Sequence, residues 1–307
     1  METPLLGIEI GGTKLQVVLG DANGRIAARR RAPVAVNEGA AGIRKSITEA
    51  LAAATNETKI AAIGVGYGGP VDWKTGCICC SHHVEGWDDF PLGEWLAEFT
   101  GAPVAVDNDA NVAALGEALR GAAAGFNPSF YVTVGSGVGG GLIIDGTIYH
   151  GATPGECEIG HVRLDTRGRI VESSCSGWSV DAKVRAAITS DPNGFLAKNA
   201  PETKGGEAKL LARALAANDP AAAQILADTA DDLAFALSHV SQLLHPQIIV
   251  LGGGLTLIGE PLRAAVERAL KPHIMRAHQP GPRIALAQLR EDAVPVGALM
   301  LAARSFY

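Results

Sequence analysis

Asp107-Asn108-Asp109-Ala110-Asn111 is the densest cluster of small polar groups in the chain. It follows a short apolar run, Val104 to Val106, and precedes an alanine-rich stretch, Val112 to Leu119. The pattern predicts a strand that ends at the carboxylates and a helix that starts beneath them. Asp109 in that place reads as a general base, with the other motifs bringing two substrates to it. The plainer reading is a helix N-cap, since Asp and Asn are favoured there. One such residue makes a cap, and four in five positions exceeds that need. Asp107 and Asn111 then read as structural supports or caps.

Glycine-rich turns offer a second kind of chemistry. Gly11-Gly12-Thr13-Lys14 lies between two strand-like runs, Leu5 to Ile10 and Leu15 to Leu19. No helix follows, so neither a P-loop nor a dinucleotide-binding turn fits. Backbone N–H groups at adjacent glycines let an anion approach closely, Thr13 adds a hydroxyl, and Lys14 adds a positive charge. Glu9 can hold Mg²⁺ through water, because hard cations prefer oxygen ligands and keep their waters. By itself the segment reads first as an ordinary glycine hairpin with an exposed lysine. Gly135-Ser136-Gly137 holds the equivalent place in the second half, and two such turns facing one cleft would grip two ends of a triphosphate. Gly252-Gly253-Gly254 follows a buried-strand run, Gln247 to Leu251, and would clear space for a flat purine or a ribose. Its plainer reading is a βα loop that needs positive φ at one position.

A third group is Glu156-Cys157-Glu158-Ile159-Gly160-His161, with Glu172 shortly after. Polyhydroxylated substrates need acceptors at fixed positions, and carboxylates with one histidine supply them. A lone Glu-x-x-His reads first as a solvated loop or a metal pair. A helical metal motif is disfavoured because Gly155 and Gly160 break the helix.

These groups need elements to position them. Strands are expected at Arg25 to Arg31, Ile60 to Val65, Phe130 to Val134, Leu142 to Ile144, Thr147 to Tyr149 and Arg283 to Ala287. Gly135 to Gly141 reads as one long glycine turn. Helices are expected at Glu38 to Ala54, Phe90 to Phe99, Pro220 to Leu244, Pro261 to Leu270 and Val296 to Ala303. Strand, glycine turn, strand, Asx-Gly-type turn and third strand occur twice, as a weak internal repeat. Alternating strands and helices give an α/β fold, and two similar halves give two related domains with a cleft between them. Ligands in such sheets lie beyond the carboxyl ends of the strands, where the glycine turns are.

Composition narrows the classes further. The chain has 307 residues, 47% of them hydrophobic, enough for two domains. Its net charge of -6, with no basic block, argues against a nucleic-acid partner. No apolar run reaches membrane-spanning length, so no membrane partner is expected. Met1-Glu2-Thr3-Pro4 has no basic or long apolar region, and no signal peptide is expected. Five cysteines without framework spacing suit a reducing cytoplasm.

Together these motifs resemble the ROK family of sugar kinases, within the actin/hexokinase-like ATPase superfamily. The resemblance spans nearly the whole chain. It rests on Glu9 to Lys14, Gly66-Tyr67-Gly68-Gly69-Pro70, Asp107 to Asn111 with Gly116-Glu117, Gly135 to Gly141, Glu158 to His161, Gly252 to Gly254 and the final Gly297-Ala298 helix. It implies two actin/hexokinase-like (ribonuclease H-like) domains, each a mixed sheet flanked by helices. The smaller would cover 1–118, completed by a C-terminal helix at 292–307, and the larger 119–291. It implies ATP- and Mg²⁺-dependent phosphorylation of a hexose, with glucose to glucose 6-phosphate as the first expectation, in a cytoplasmic homodimer. Asp109 resembles the catalytic base. Gly69, Asn108, Glu158, His161 and Glu172 resemble the substrate ligands. Gly11, Gly12, Thr13 and Lys14, with Gly135, Ser136 and Gly137, resemble the phosphate turns, and Gly252, Gly253 and Gly254 the nucleotide-base loop.

Three departures from the family pattern stand out. Glu9 replaces the usual Asp, which moves the carboxylate outward by about 1.5 Å. Ser136 replaces the usual Thr and keeps the hydroxyl. The Cys-x-Cys-Gly-x-x-Gly-Cys segment that forms a structural zinc site with the family histidine is missing, since Leu164 to Glu172 contains no cysteine. No structural zinc is expected, and Cys77, Cys79, Cys80, Cys157 and Cys175 read as buried or loop thiols. Other sugars (N-acetylglucosamine, N-acetylmannosamine, mannose, fructose, allose or a cyclitol) need similar acceptors, and polyphosphate is an alternative donor. A sugar-sensing repressor is disfavoured because the first phosphate strand begins at about residue 5, leaving no room for a helix-turn-helix. A sugar-binding protein that has lost catalysis is disfavoured by Asp109 and both phosphate turns. An acetate kinase-like or chaperone ATPase is disfavoured by Glu158 to His161.

Overall fold

The computed structural model describes residues 3–12, 14–33, 39–55, 59–80, 86–155, 157–201 and 204–306. The first half runs β1 (Leu5–Ile10), β2 (Lys14–Gly20), β3 (Ile26–Pro33), α1 (Gly39–Thr55), β4 (Ile63–Tyr67), β5 (Val71–Asp72), β6 (Cys77–Ile78), α2 (Leu92–Thr100), β7 (Val104–Asn108) and α3 (Asp109–Arg120). The second runs β8 (Ser129–Val134), β9 (Val138–Ile144), β10 (Thr147–Ile148), α4 (Val171–Cys175), α5 (Gly177–Ser190), α6 (Phe195–Lys198), α7 (Leu211–Ala216), α8 (Pro220–Leu244), β11 (Ile248–Gly252), α9 (Glu260–Leu270), β12 (Arg283–Leu286) and α10 (Ala293–Phe306).

The weak repeat in the sequence becomes a repeat of topology. One five-stranded sheet has the order β3-β2-β1-β4-β7, and the other β10-β9-β8-β11-β12. In the first, β1 is antiparallel to β2 and parallel to β4, which is parallel to β7. In the second, β11 is parallel to both β8 and β12, and β10 is antiparallel to β9. Central strands covered on both faces read as near-continuous apolar runs, and β1, β4, β8 and β11 do so. The chain divides into two compact units, 1–125 with 141–157 and 288–307, and 126–140 with 158–287. The 141–157 segment, placed by sequence in the larger domain, belongs to the first of these units.

In the first unit one face of the sheet packs Leu6, Ile8 and Ile63 with Ile43 and Ile47 of α1 and Leu92 and Leu96 of α2. The other face packs Leu5 and Val18 against Leu299, Ala302 and Ala303 of α10. Helices α3 and α10 meet through bare backbone: a Cβ on Gly297 would run into the Val112 carbonyl. That close approach explains the glycines at Gly116 and Gly297. Among the described residues, no helix is long and apolar enough to cross a membrane.

Two expectations need correction. Gly139 to Gly141 are strand, not turn, because β9 begins at Val138. Gly141 serves close packing: a Cβ there would lie 2.7 Å from the Ala114 Cβ of α3. The segment between Glu172 and Ala216 also carries four helices that the hydrophobic pattern did not announce. The longest, α5, is capped by Ser176, whose side chain accepts a hydrogen bond from Ser179 N–H at 3.3 Å.

Candidate active site

The strand β7 runs two residues further than its apolar core, so that Asp107 and Asn108 close the strand and Asp109 is the first residue of α3. Asn108 is the N-cap. Its Oδ1 accepts from Ala110 N–H at 2.9 Å and Asn111 N–H at 3.4 Å, and its Nδ2 donates to the Gly69 carbonyl at 3.2 Å. Capping therefore falls to the residue expected to bind substrate, not to Asp107 or Asn111. Those two form a support beneath it. Asp107 Oδ1 accepts from Asn108 N–H at 2.8 Å and from Asn111 Nδ2 at 2.9 Å, and Asn111 Nδ2 also donates to the Gly155 carbonyl at 3.0 Å. Asp107 Oδ2 lies 2.6 Å from His150 Nε2. Sequence reasoning missed His150, because nothing in spacing links it to a residue 43 positions earlier.

Asp109 lies beside the first glycine turn. Gly68 N–H donates to the Ile10 carbonyl at 2.8 Å, and a Cβ on Gly68 would lie 3.3 Å from Asp109 Oδ2 and 3.4 Å from Gly11 Cα. The base candidate and the turn thus flank one bare glycine. Gly11 N–H closes the turn on the Lys14 carbonyl at 2.9 Å. Thr13 lies outside the described residues. Lys14 Nζ is 3.2 Å from Glu9 Oε1, and Gln16, fully buried, donates from Nε2 to Glu9 Oε2 at 2.6 Å. Gln16 Oε1 in turn accepts from Arg31 Nε at 2.9 Å. Burial pushes the Glu9 carboxyl above the usual carboxylate range, against the pull of Lys14 and Gln16. Both Glu9 oxygens are thus engaged, one by Lys14 and one by Gln16.

In the second unit the candidates gather around the start of β9. Gly135 N–H closes the turn on the Gly137 carbonyl at 2.9 Å, with Ser136 exposed between them, and Gly177 N–H donates to the Gly135 carbonyl at 2.6 Å. Glu172, in α4, accepts from Val138 N–H at 2.9 Å through Oε2. Glu158 and His161 flank a short 3₁₀ turn, with His161 Nε2 4.0 Å from Glu158 Oε2. Their side chains are 50% and 68% exposed, free to take hydroxyl partners. Gly160 seats that turn on the Val138 carbonyl, and Val171 N–H donates to the Val162 carbonyl at 3.1 Å. Gly253 has φ +82° and backs directly onto Val134, so the third glycine site adjoins the second turn.

The family model that describes the ROK family matches residues 5–305. The chain belongs to the ROK family. A glucokinase of Halalkalibacterium halodurans is 30% identical over 306 residues, covering 95% of this chain and 92% of that protein. The bifunctional enzyme NanE/NanK of Brucella melitensis is 32% identical over 99% of this chain and 55% of its own length. The crystal structure of a ROK glucokinase from Streptomyces griseus, in complex with glucose and AMPPNP, superposes with a TM-score of 0.86 at 28% identity, covering 98% of this chain and 99% of that one.

The cysteines of this ROK chain are free thiols, with Cys77, Cys79, Cys80 and Cys157 partly buried. Cys175 is buried, its Sγ reaches the Thr229 carbonyl at 3.7 Å, and burial pushes its thiol up to about 12. Among the described residues, no three His, Cys, Asp or Glu side chains group to hold a metal.

Proposed function

We propose that the protein is an ATP-dependent sugar kinase whose first substrate is glucose. The observation that carries this reading is the position of Asp109, at the first turn of α3 and across a single glycine from the Gly11-Gly12 turn. A carboxylate there can take the proton of a sugar hydroxyl while the phosphate chain rests on the turn. The hydroxyl oxygen attacks the γ-phosphorus, the bond from that phosphorus to the bridging oxygen breaks, the proton passes to Asp109, and ADP leaves. Such a base is worth about 10²–10⁴-fold. Gly11, Gly12, Thr13 and Lys14, with Gly135, Ser136 and Gly137, hold the phosphates in this reading, and Gly252, Gly253 and Gly254 leave room for the base. Glu158, His161 and Glu172 accept or donate to sugar hydroxyls, and Asn108 offers the hydrogen of Nδ2 that Gly69 does not use. Bound Mg²⁺ neutralises charge on the phosphates, with Glu9 as an acceptor for its water shell.

The ROK relatives support glucose through the glucokinases of H. halodurans and S. griseus. The 32% identity to NanE/NanK keeps a sugar other than glucose open, and N-acetylmannosamine is the second reading. ADP release, followed across a dozen sugars with ATP and with polyphosphate, tests both. Turnover is expected with glucose and ATP and abolished in Asp109→Asn. A variant that keeps wild-type turnover sinks the assignment of the base.

A further inference from the structure

The Asp107 carboxylate holds three groups at once. It accepts the backbone N–H of Asn108, the side-chain amide of Asn111 and the ring N–H of His150, at 2.8, 2.9 and 2.6 Å. Asn108 and Asn111 bracket Asp109, so this buried carboxylate fixes the first turn of α3 from both sides of the proposed base. A carboxylate offers only acceptors, which places the shared proton on His150 Nε2.

His150 is itself held in place. Its ring stacks on Trp73 with centroids 4.1 Å apart and planes 11° from parallel, and Lys74 Nζ lies 5.6 Å from the Trp73 ring centre on the other contact of that indole. Gly155 packs against it as well: a Cβ on Gly155 would lie 2.6 Å from His150 Cβ, and the Gly155 carbonyl takes the second hydrogen of Asn111. Asn111 spends both amide hydrogens on this arrangement and leaves its buried Oδ1 without a hydrogen-bond partner. An unsatisfied buried acceptor is unfavourable. The grip on Asp107 and Gly155 is therefore what sets the orientation of this side chain.

We infer that His150 is a positioning residue for the proposed phosphoryl transfer. Through Asp107 it locks Asn108, Asp109 and Asn111 in the geometry that the reaction needs, while touching neither substrate. The inference rests on the kinase reading given above. Small displacements of a reacting group far from the mutated atom can cost about 10²-fold in rate. His150→Leu removes the ring N–H, whereas His150→Gln keeps an amide N–H that reaches the position of Nε2.

Steady-state kinetics of the full-length wild type, His150→Leu, His150→Gln, Asp107→Asn and the double variant His150→Leu/Asp107→Asn decide the matter, alongside thermal unfolding. For His150→Leu the expectation is a kcat lower by about 10–100-fold with the KM for ATP within about twofold of wild type, the split expected when only transition-state geometry is lost. His150→Gln should recover kcat to within about threefold of wild type, and the double variant should fall little below the worse single one, since both act through one hydrogen bond. A purely structural role predicts instead that kcat follows the loss of thermal stability and that glutamine rescues nothing. An unimpaired kcat in His150→Leu, or glutamine and leucine variants equally impaired, overturns the inference. Should the leucine variant not fold, His150→Gln against Asp107→Asn carries the same contrast: near-wild-type kcat in the first with a large loss in the second supports it, and equal losses overturn it. A wild-type protein that releases no ADP with any sugar overturns the kinase reading and this inference together, whereas an active wild type with an unimpaired His150→Leu overturns this inference alone.

Discussion

The two glycine turns occupy the same place in two sheets of the same strand order, yet they are furnished differently. The first is charged. Lys14 closes it, Glu9 precedes it on β1, and Gln16 carries the link onward to Arg31. The second is made of dipoles. Gly135, Ser136 and Gly137 form it, the first N–H of α5 braces it at the Gly135 carbonyl, and the position two before Gly135 is Thr133, where the first sheet has Glu9. Glu172 adjoins it and accepts from the Val138 amide. The two sheets share a strand order and place their turns alike, and the side chains around each turn are what differ. In the proposed kinase the charged turn, with Asp109 beside it, suits the phosphate being transferred. The uncharged turn suits phosphates that only need to be held.

The strongest way to break this division is at Asp109. Asp109→Asn should lower kcat by about 10²–10⁴-fold while leaving sugar binding and thermal stability close to wild type. Retained turnover, measured by ADP release, would move the chemistry away from the charged turn. Next is Lys14→Ala, which removes the ammonium group that can meet a phosphate. A charge-assisted hydrogen bond is worth about 1.5–3 kcal/mol, or about 10- to 150-fold in kcat/KM for ATP. Ser136→Ala in the second turn should lose only a neutral hydroxyl bond, about 0.5–1.5 kcal/mol and so about 2- to 10-fold. Equal losses in the two variants would erase the contrast between the turns.

Much of the fold was legible because local rules and burial agreed. Helix α8 spans the expected Pro220–Leu244: Asp219 caps it, Pro220 opens it, and its buried face is mostly apolar. The chemistry-bearing loops were legible too, since a run such as Gly11-Gly12 or Gly252-Gly253-Gly254 interrupts an apolar strand at one place only. What was not legible depends on contacts distant in sequence. Asn108, expected as a substrate ligand, caps α3, and Asp107, expected as a support or a cap, is a support whose partner His150 lies 43 positions away. The strand start at Val138 was hidden because Gly139 to Gly141 look like a turn, whereas Gly141 packs closely on Ala114 of α3. Helices α4, α6 and α7 are four to six residues long, too short for a period to emerge.

The smallest expected effect is also the most specific to the charged turn. Burial raises the folded-state pKa of Glu9, so the folded protein binds its proton more tightly than the unfolded chain does. The stability that Glu9 contributes is then full below the ordinary glutamate value, about 4.3, and is lost as pH rises through the folded value. Glutamine cannot titrate. The stability of wild type relative to Glu9→Gln should therefore decline with rising pH across that window and level off above it. Urea unfolding of both proteins at a series of pH values measures the difference. Thr133→Val, at the matching place in the second sheet, should show no such slope, because nothing there ionises. A flat difference for Glu9→Gln would mean that Lys14 and Gln16 offset burial completely, and Glu9 would then titrate as it does in the unfolded chain, ionised only above its ordinary value. A declining difference would instead mean that the carboxylate is held against its own desolvation. In that case a phosphate that draws Lys14 away from Glu9 would also favour a proton on Glu9, and nucleotide binding would become coupled to proton uptake at the charged turn alone.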